Sequence, residues 1–152
     1  MKKVIAVLAA CMMLFSSSAK ADTYYCYAEE ANIRPQPSTK YDRLGYVEFG
    51  QEIEVEYFKG DWAYCPELYT EEIGGWVYAQ WLSPYEPQIV KNEKYVVTDR
   101  RVNVREQPNG RQIKRVGKGH EMTVIRLAAD MDGVWWAKTT EGWIMLKFLD
   151  KE

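Results

Sequence analysis

Imidazole and thiol are scarce in this sequence: one histidine and three cysteines in 152 residues. There is no His-x-x-His or Cys-x-x-Cys spacing and no clustered Asp loop, so the usual zinc and calcium patterns have no foothold. A Gly-rich phosphate loop is missing as well. A cysteine hydrolase would have to pair His120 with Cys26 or Cys65, a weak constellation. Beyond residue 15 no apolar run approaches the ~20 residues of a membrane-spanning helix. Apolar periodicity of the helical kind is also absent outside the first residues.

What the chain has instead is aromatic bulk. It is 47% hydrophobic and 14% aromatic, with 6 Trp and 11 Tyr. Val, Ile, Tyr and Trp recur in short runs broken by Gly, Pro and Asn. That pattern predicts an all-β protein with enough apolar surface to bury a core.

The first 21 residues read as a leader. Lys2 and Lys3 precede the apolar run 4–15, and "SSSAKA" ends in Ala19-x-Ala21, the small-residue pattern of a signal peptidase site. At 12 residues the run is too short to span a bilayer. The expectation is an exported protein, periplasmic or secreted, whose mature chain has no transmembrane segment and a net charge of −5. "LAAC" at 8–11 offers a rival, a lipoprotein with Cys11 acylated, although the apolar run continues past it to Phe15. Cleavage after Ala21 leaves two cysteines, Cys26 and Cys65, which in an exported protein are a disulfide candidate.

A phrase is written twice. "ANIRPQPST" (31–39) returns as "VNVREQPNG" (102–110), setting Asn32 on Asn103, Arg34 on Arg105 and Pro37 on Pro108. Further on, 44–55 meets 113–124, "WAYC" (62–65) meets "WAKT" (136–139), and Gly-Trp-aliphatic at Trp76 meets its copy at Trp143. The offset drifts between 67 and 74, so loops differ in length while strands correspond. Two copies of a small β domain are predicted, at 22–83 and 95–152, joined by a Pro-containing linker at 84–94. Cys26 falls on Val97 and Cys65 on Thr139, both expected to face the core. In 50–57, Ile53, Val55 and Tyr57 alternate with Glu52, Glu54 and Glu56, as in a half-buried antiparallel strand.

The order Asn-apolar-Arg-x-x-Pro, a Gly-led amphipathic strand, Trp, Gly-Trp-aliphatic and a closing aromatic-Leu resembles the bacterial SH3-like (SH3b) domain. The resemblance covers about 24–83 and about 95–150. It implies two tandem, small, partly open SH3-like barrels, in which the repeated phrase ends a strand and opens an arched loop whose base is held by Asn and Arg. It also implies binding rather than catalysis, with peptidoglycan peptides or partner proteins as ligands. No cofactor is implied.

Charge divides the copies. Residues 22–83 hold 4 basic and 12 acidic side chains; residues 84–152 hold 13 and 10. Arg111, Lys114 and Arg115 belong to a basic cluster around the second arched loop. That cluster reads as a solvated surface, as a contact to the acidic first copy, or as a site for an anionic partner. Nucleic acid is not expected of an exported, net-acidic protein. Trp76 and Trp143 are expected in the core. Tyr41, Tyr46, Tyr78, Trp81 and Trp135 are the surplus aromatics expected to line a ligand groove. The functional expectation is a non-enzymatic envelope protein binding a peptide, peptidoglycan or protein. An inhibitor or immunity-type protein, presenting the loop 66–74, is the alternative.

Overall fold

The computed structural model describes residues 21–70 and 73–152, so the leader expected over 1–21 falls almost wholly outside the described residues. The chain is all-β, and its sheets do not close into barrels. The N-terminal half contains β1 (Asp22–Cys26), β2 (Glu30–Ile33), β3 (Gly45–Glu48), β4 (Glu52–Val55), β5 (Tyr57–Lys59), β6 (Trp62–Cys65) and β7 (Gly75–Tyr78). A 3-10 turn, Ala79–Trp81, leads into β8 (Leu82–Ser83). The C-terminal half repeats the order with β9 (Gln88–Val97), β10 (Val102–Arg105), β11 (Gln112–Val116), β12 (Glu121–Ala129), β13 (Trp135–Thr139) and β14 (Gly142–Met145). A second 3-10 turn, Leu146–Phe148, leads into β15 (Leu149–Lys151).

Pairing recurs with the order. β1 lies between β4 and β8, β2 pairs with β3, and β6 lies between β5 and β7. In the second half β9 lies between β12 and β15, β10 pairs with β11, and β13 lies between β12 and β14. Arg34 bridges Trp76 as Arg105 bridges Trp143. The turns into β4 and β12 each need a glycine with positive φ, Gly50 at 80° and Gly119 at 85°, where a side chain would be strained. Each donates its N–H across the strand entry, Gly50 to the Cys26 carbonyl and Gly119 to that of Val97.

The halves differ in continuity. β4 and β5 are separate strands interrupted at Glu56, whereas β12 runs on through a register shift between Val124 and Arg126. The N-terminal strands therefore form three small sheets and the C-terminal ones a single seven-stranded sheet. The break corrects one expectation: Ile53 and Val55 are buried, but Tyr57 points outward, 46% exposed. It corrects the linker too. Residues 88–94 are strand, because β9 begins at Gln88 and its first part pairs with the long β12, from Ile89↔Arg126 to Lys94↔Thr123. Pro84 and Pro87 confine the irregular chain to the few residues before it.

Each half has its own core, Ile33, Val47, Ile53 and Leu82 in one, Val97, Val104, Val124 and Ile144 in the other. A third buried cluster joins them: Tyr27 of the first half with Ala128, Trp136 and Trp143 of the second, flanked by Phe49, Trp81 and Met145. Arg126 spans the same junction, bonding Glu29 at 2.6 Å and lying 4.5 Å from the Phe49 ring centroid.

Cys26 and Cys65 take the predicted core positions but are separate free thiols, which corrects the expected disulfide. Each behaves as a small hydrophobe whose S–H leans on nearby carbonyls: Cys26 on Ala28 (3.6 Å) and Val47 (3.9 Å), Cys65 on Ala63 (3.7 Å). Burial pushes Cys26 up to about 11 and Cys65 up to about 12.

Candidate functional site

The repeated phrase builds the site. β2 carries Asn32 outward and is followed by Arg34, whose guanidinium folds back to donate to the Tyr41 carbonyl. That bond closes the arched loop 35–41 at its base, as Arg105 does at the Gly110 carbonyl (2.7 Å) in the second half. Asn103 instead accepts from Arg115 at 3.2 Å, so the arginine alone does what the pair was expected to do.

Between this loop and the β6–β7 hairpin runs a groove of about 490 Å³, lined by Asn32, Arg34, Pro37, Ser38, Thr39, Trp62, Tyr78 and Trp81. Trp62 and Tyr78 are cross-strand partners whose rings meet edge to face, 5.3 Å apart. Trp81 closes the end from the 3-10 turn. Three half-buried aromatics form an apolar wall, opposite a polar wall that carries the Asn32 amide and Arg34 guanidinium. With one guanidinium donor committed to Tyr41, the others remain for a ligand's carbonyl or carboxylate. This composition, an apolar cleft with a few placed polar groups, suits an extended peptide.

Of the residues singled out in the sequence, Tyr78 and Trp81 line the groove. Tyr41 and Tyr46 do not. They are 49% and 45% exposed, and Tyr41 contributes its backbone carbonyl rather than its ring. Trp135 lies on the other half, its ring 6.4 Å from Tyr85, in a shallow hollow with Val134, Leu146 and Lys147. The basic trio is engaged at home: Arg111 with Glu106 (3.3 Å), Lys114 with Glu141, and Arg115 with Asn103. None of those partners is in the acidic half, and among the described residues the ion pair that crosses between halves uses Arg126. Glu141 also meets His120 at 3.0 Å, and its bonds to Lys114 and His120 hold its carboxyl below the usual range.

Trp62 is the groove aromatic that the sequence does not single out, and Ser38 and Thr39 join it unannounced. Its signal was present, since "WAYC" and "WAKT" align at Trp62 and Trp136. Trp76 and Trp143 are buried as expected, 8% and 3% exposed. Trp76 also anchors a surface stack with Tyr57 (5.7 Å) and Tyr64 (5.2 Å).

Comparison with known proteins gives distant structural likenesses. NlpC2 from Trichomonas vaginalis aligns over 90% of this chain and 50% of its own, with TM-score 0.33 and 12% identity. NlpC1 from the same organism aligns over 90% and 48%, with TM-score 0.35 and 13% identity. Ly7917 aligns over 87% and 62%, with TM-score 0.35 and 12% identity. The chain spans about half the length of the first two. No curated protein matches. The family comparison is more local and coincides with the groove: residues 29–83 match the bacterial SH3 domain.

Proposed function

We propose that this is a non-enzymatic binding protein of the bacterial cell envelope that holds an extended peptide of the peptidoglycan-stem kind in its N-terminal groove. The observation that carries the reading is the groove itself, three aromatic rings facing an amide and a guanidinium inside the segment matched as a bacterial SH3 domain. Apolar side chains of the peptide lie on Trp62, Tyr78 and Trp81, and its carbonyls or carboxylates take hydrogen bonds from Asn32 and Arg34. The C-terminal half is a diverged second copy, a reading supported by the recurring strand pairs and the paired Arg34–Trp76 and Arg105–Trp143 bridges. Export rests on the leader-like first 21 residues.

A thiol nucleophile is disfavoured on chemical grounds. Cys26 and Cys65 are buried and protonated at neutral pH, with values pushed to about 11 and about 12. Sedimentation with purified peptidoglycan sacculi tests the reading. The wild-type chain should co-sediment, and Trp62→Ala should weaken binding by about tenfold or more, as truncation of a central aromatic contact does. A wild-type chain that stays in the supernatant, or a Trp62→Ala variant that binds as well, would overturn it.

A further inference from the structure

The C-terminal half repeats the ingredients of the open groove, and the groove they would form is not open. By strand register Trp136 stands where Trp62 does, Met145 where Tyr78 does, and Phe148 where Trp81 does, with Pro108 on Pro37. Trp62 is half-exposed, but Trp136 is 1% exposed. Trp136 is instead packed into a buried cluster with Ala128 and Trp143, to which the other half contributes Tyr27. Two small cavities of about 270 and 180 Å³ flank this contact, and Tyr27, Gln107 and Pro108 line both. Tyr27 therefore shares both cavities with the arched-loop proline and one buried cluster with the tryptophan.

Tyr27 is built for that place from its own side. Its N–H bonds the Trp81 carbonyl at 3.0 Å, its hydroxyl donates to the Gln80 carbonyl, and its ring meets Trp81 edge to face at 6.3 Å. The residue at the same position in the second half is Thr98, whose N–H bonds the Phe148 carbonyl at 3.0 Å. Threonine has no ring to offer, so only one half carries the insert. Asp130 holds the receiving side. Buried at 4% exposure, it accepts from the Trp136 indole (3.1 Å), the Asn109 amide (2.8 Å) and the backbone N–H of Val134 (3.0 Å). One carboxylate thus fixes both the tryptophan and the arched-loop tip that frame Tyr27.

We propose that the C-terminal half contains a second aromatic subsite, at Pro108, Trp136 and Asp130, that takes an aromatic side chain and is occupied within the same chain by Tyr27. Of the two register-equivalent grooves, the chain then presents the N-terminal one to solvent. This goes beyond the binding role proposed above and does not depend on what the open groove takes.

Chemical rescue with p-cresol, which is the tyrosine side chain as a free molecule, tests it. Tyr27→Ala should lower the thermal midpoint and speed hydrogen exchange of the Trp136 indole N–H by about tenfold or more. Millimolar p-cresol should raise that midpoint with concentration and shift the Trp136 indole resonance, because a ligand bound to the folded state stabilises it. Tyr27→Phe, which keeps the ring, should gain nothing from p-cresol. Should Tyr27→Ala fail to fold, Tyr27→Leu carries the same rescue. The wild-type chain supplies an arm free of substitution: nuclear Overhauser contacts from the Tyr27 ring to Pro108 and to the Trp136 indole. A folded variant whose midpoint ignores p-cresol, a rescue that shifts Trp62 in place of Trp136, or the absence of those contacts would overturn the proposal.

Discussion

The two halves share a pairing scheme and part company at its aromatic positions. Trp62 and Trp136 occupy one register site, yet the first lines an open groove and the second is buried in the cluster that joins the halves. Cys26 and Val97 share another site, each with its N–H bonded to the carbonyl just before the paired strand, Gln51 before β4 and His120 before β12. Backbone pairing is thus compatible with several uses of one position. What decides the use is which surface the position meets, solvent in one half and the neighbouring half in the other.

The sharpest way to break the comparison is to truncate both tryptophans. Trp136→Ala should cost about 3–5 kcal/mol in denaturant unfolding, as loss of a large buried side chain does, and should loosen both halves together. Trp62→Ala, at a half-exposed groove wall, should cost less than half as much while weakening ligand binding. Equal costs would show that the two positions are not differently used.

The core cysteines sharpen the comparison further. Cys26→Val and Cys65→Thr give the N-terminal half the residues its partner already carries, and each should cost less than ~1.5 kcal/mol. A lost disulfide would instead cost about 2–5 kcal/mol. Thiol titration at pH 8 of the chain beginning at Asp22 should find both groups slow in the folded protein and two reactive thiols on unfolding. The pH dependence has a definite sign. Folding raises both pKa values above the usual 9.0, so the thiols' contribution is complete below pH 9 and is lost as pH rises toward about 11 and about 12. A stability rising through that window would contradict the assignment.

Smaller effects belong to charge. Arg126→Gln removes a junction ion pair and a cation–ring contact, and should cost about 0.5–1 kcal/mol, less in high salt. Replacing Arg111, Lys114 and Arg115 by Gln should move stability least and leave ligand binding nearly unchanged, since their partners lie in their own half. Equilibrium unfolding and sacculus binding at low and high salt check both statements.

How much of this was legible beforehand follows a physical division. The all-β class and the inward cysteine positions could be read because strand periodicity and core volume leave a pattern along the chain. Tyr78 and Trp81 were found as surplus aromatics, but Tyr41 and Tyr46 met the same criterion and face solvent. Aromatic surplus does not encode direction. The strand over 88–94 was hidden because its pairing partner, residues 123–127 of β12, lies far away in sequence, with Leu127 opposite Gln88 and Thr123 opposite Lys94. Tyr27 and Asp130 carried no signal, since their roles arise where two halves meet and no local pattern records that meeting.

The central claim is that one groove per chain binds the ligand and that it lies in the N-terminal half. It is tested most directly by following the six tryptophan indole N–H resonances while soluble peptidoglycan stem peptides are added to the wild-type chain. The account predicts saturable shifts at Trp62 and Trp81 with one equivalent bound, while Trp136 stays in place. Shifts centred on Trp136, two equivalents bound, or six unmoved resonances would contradict it.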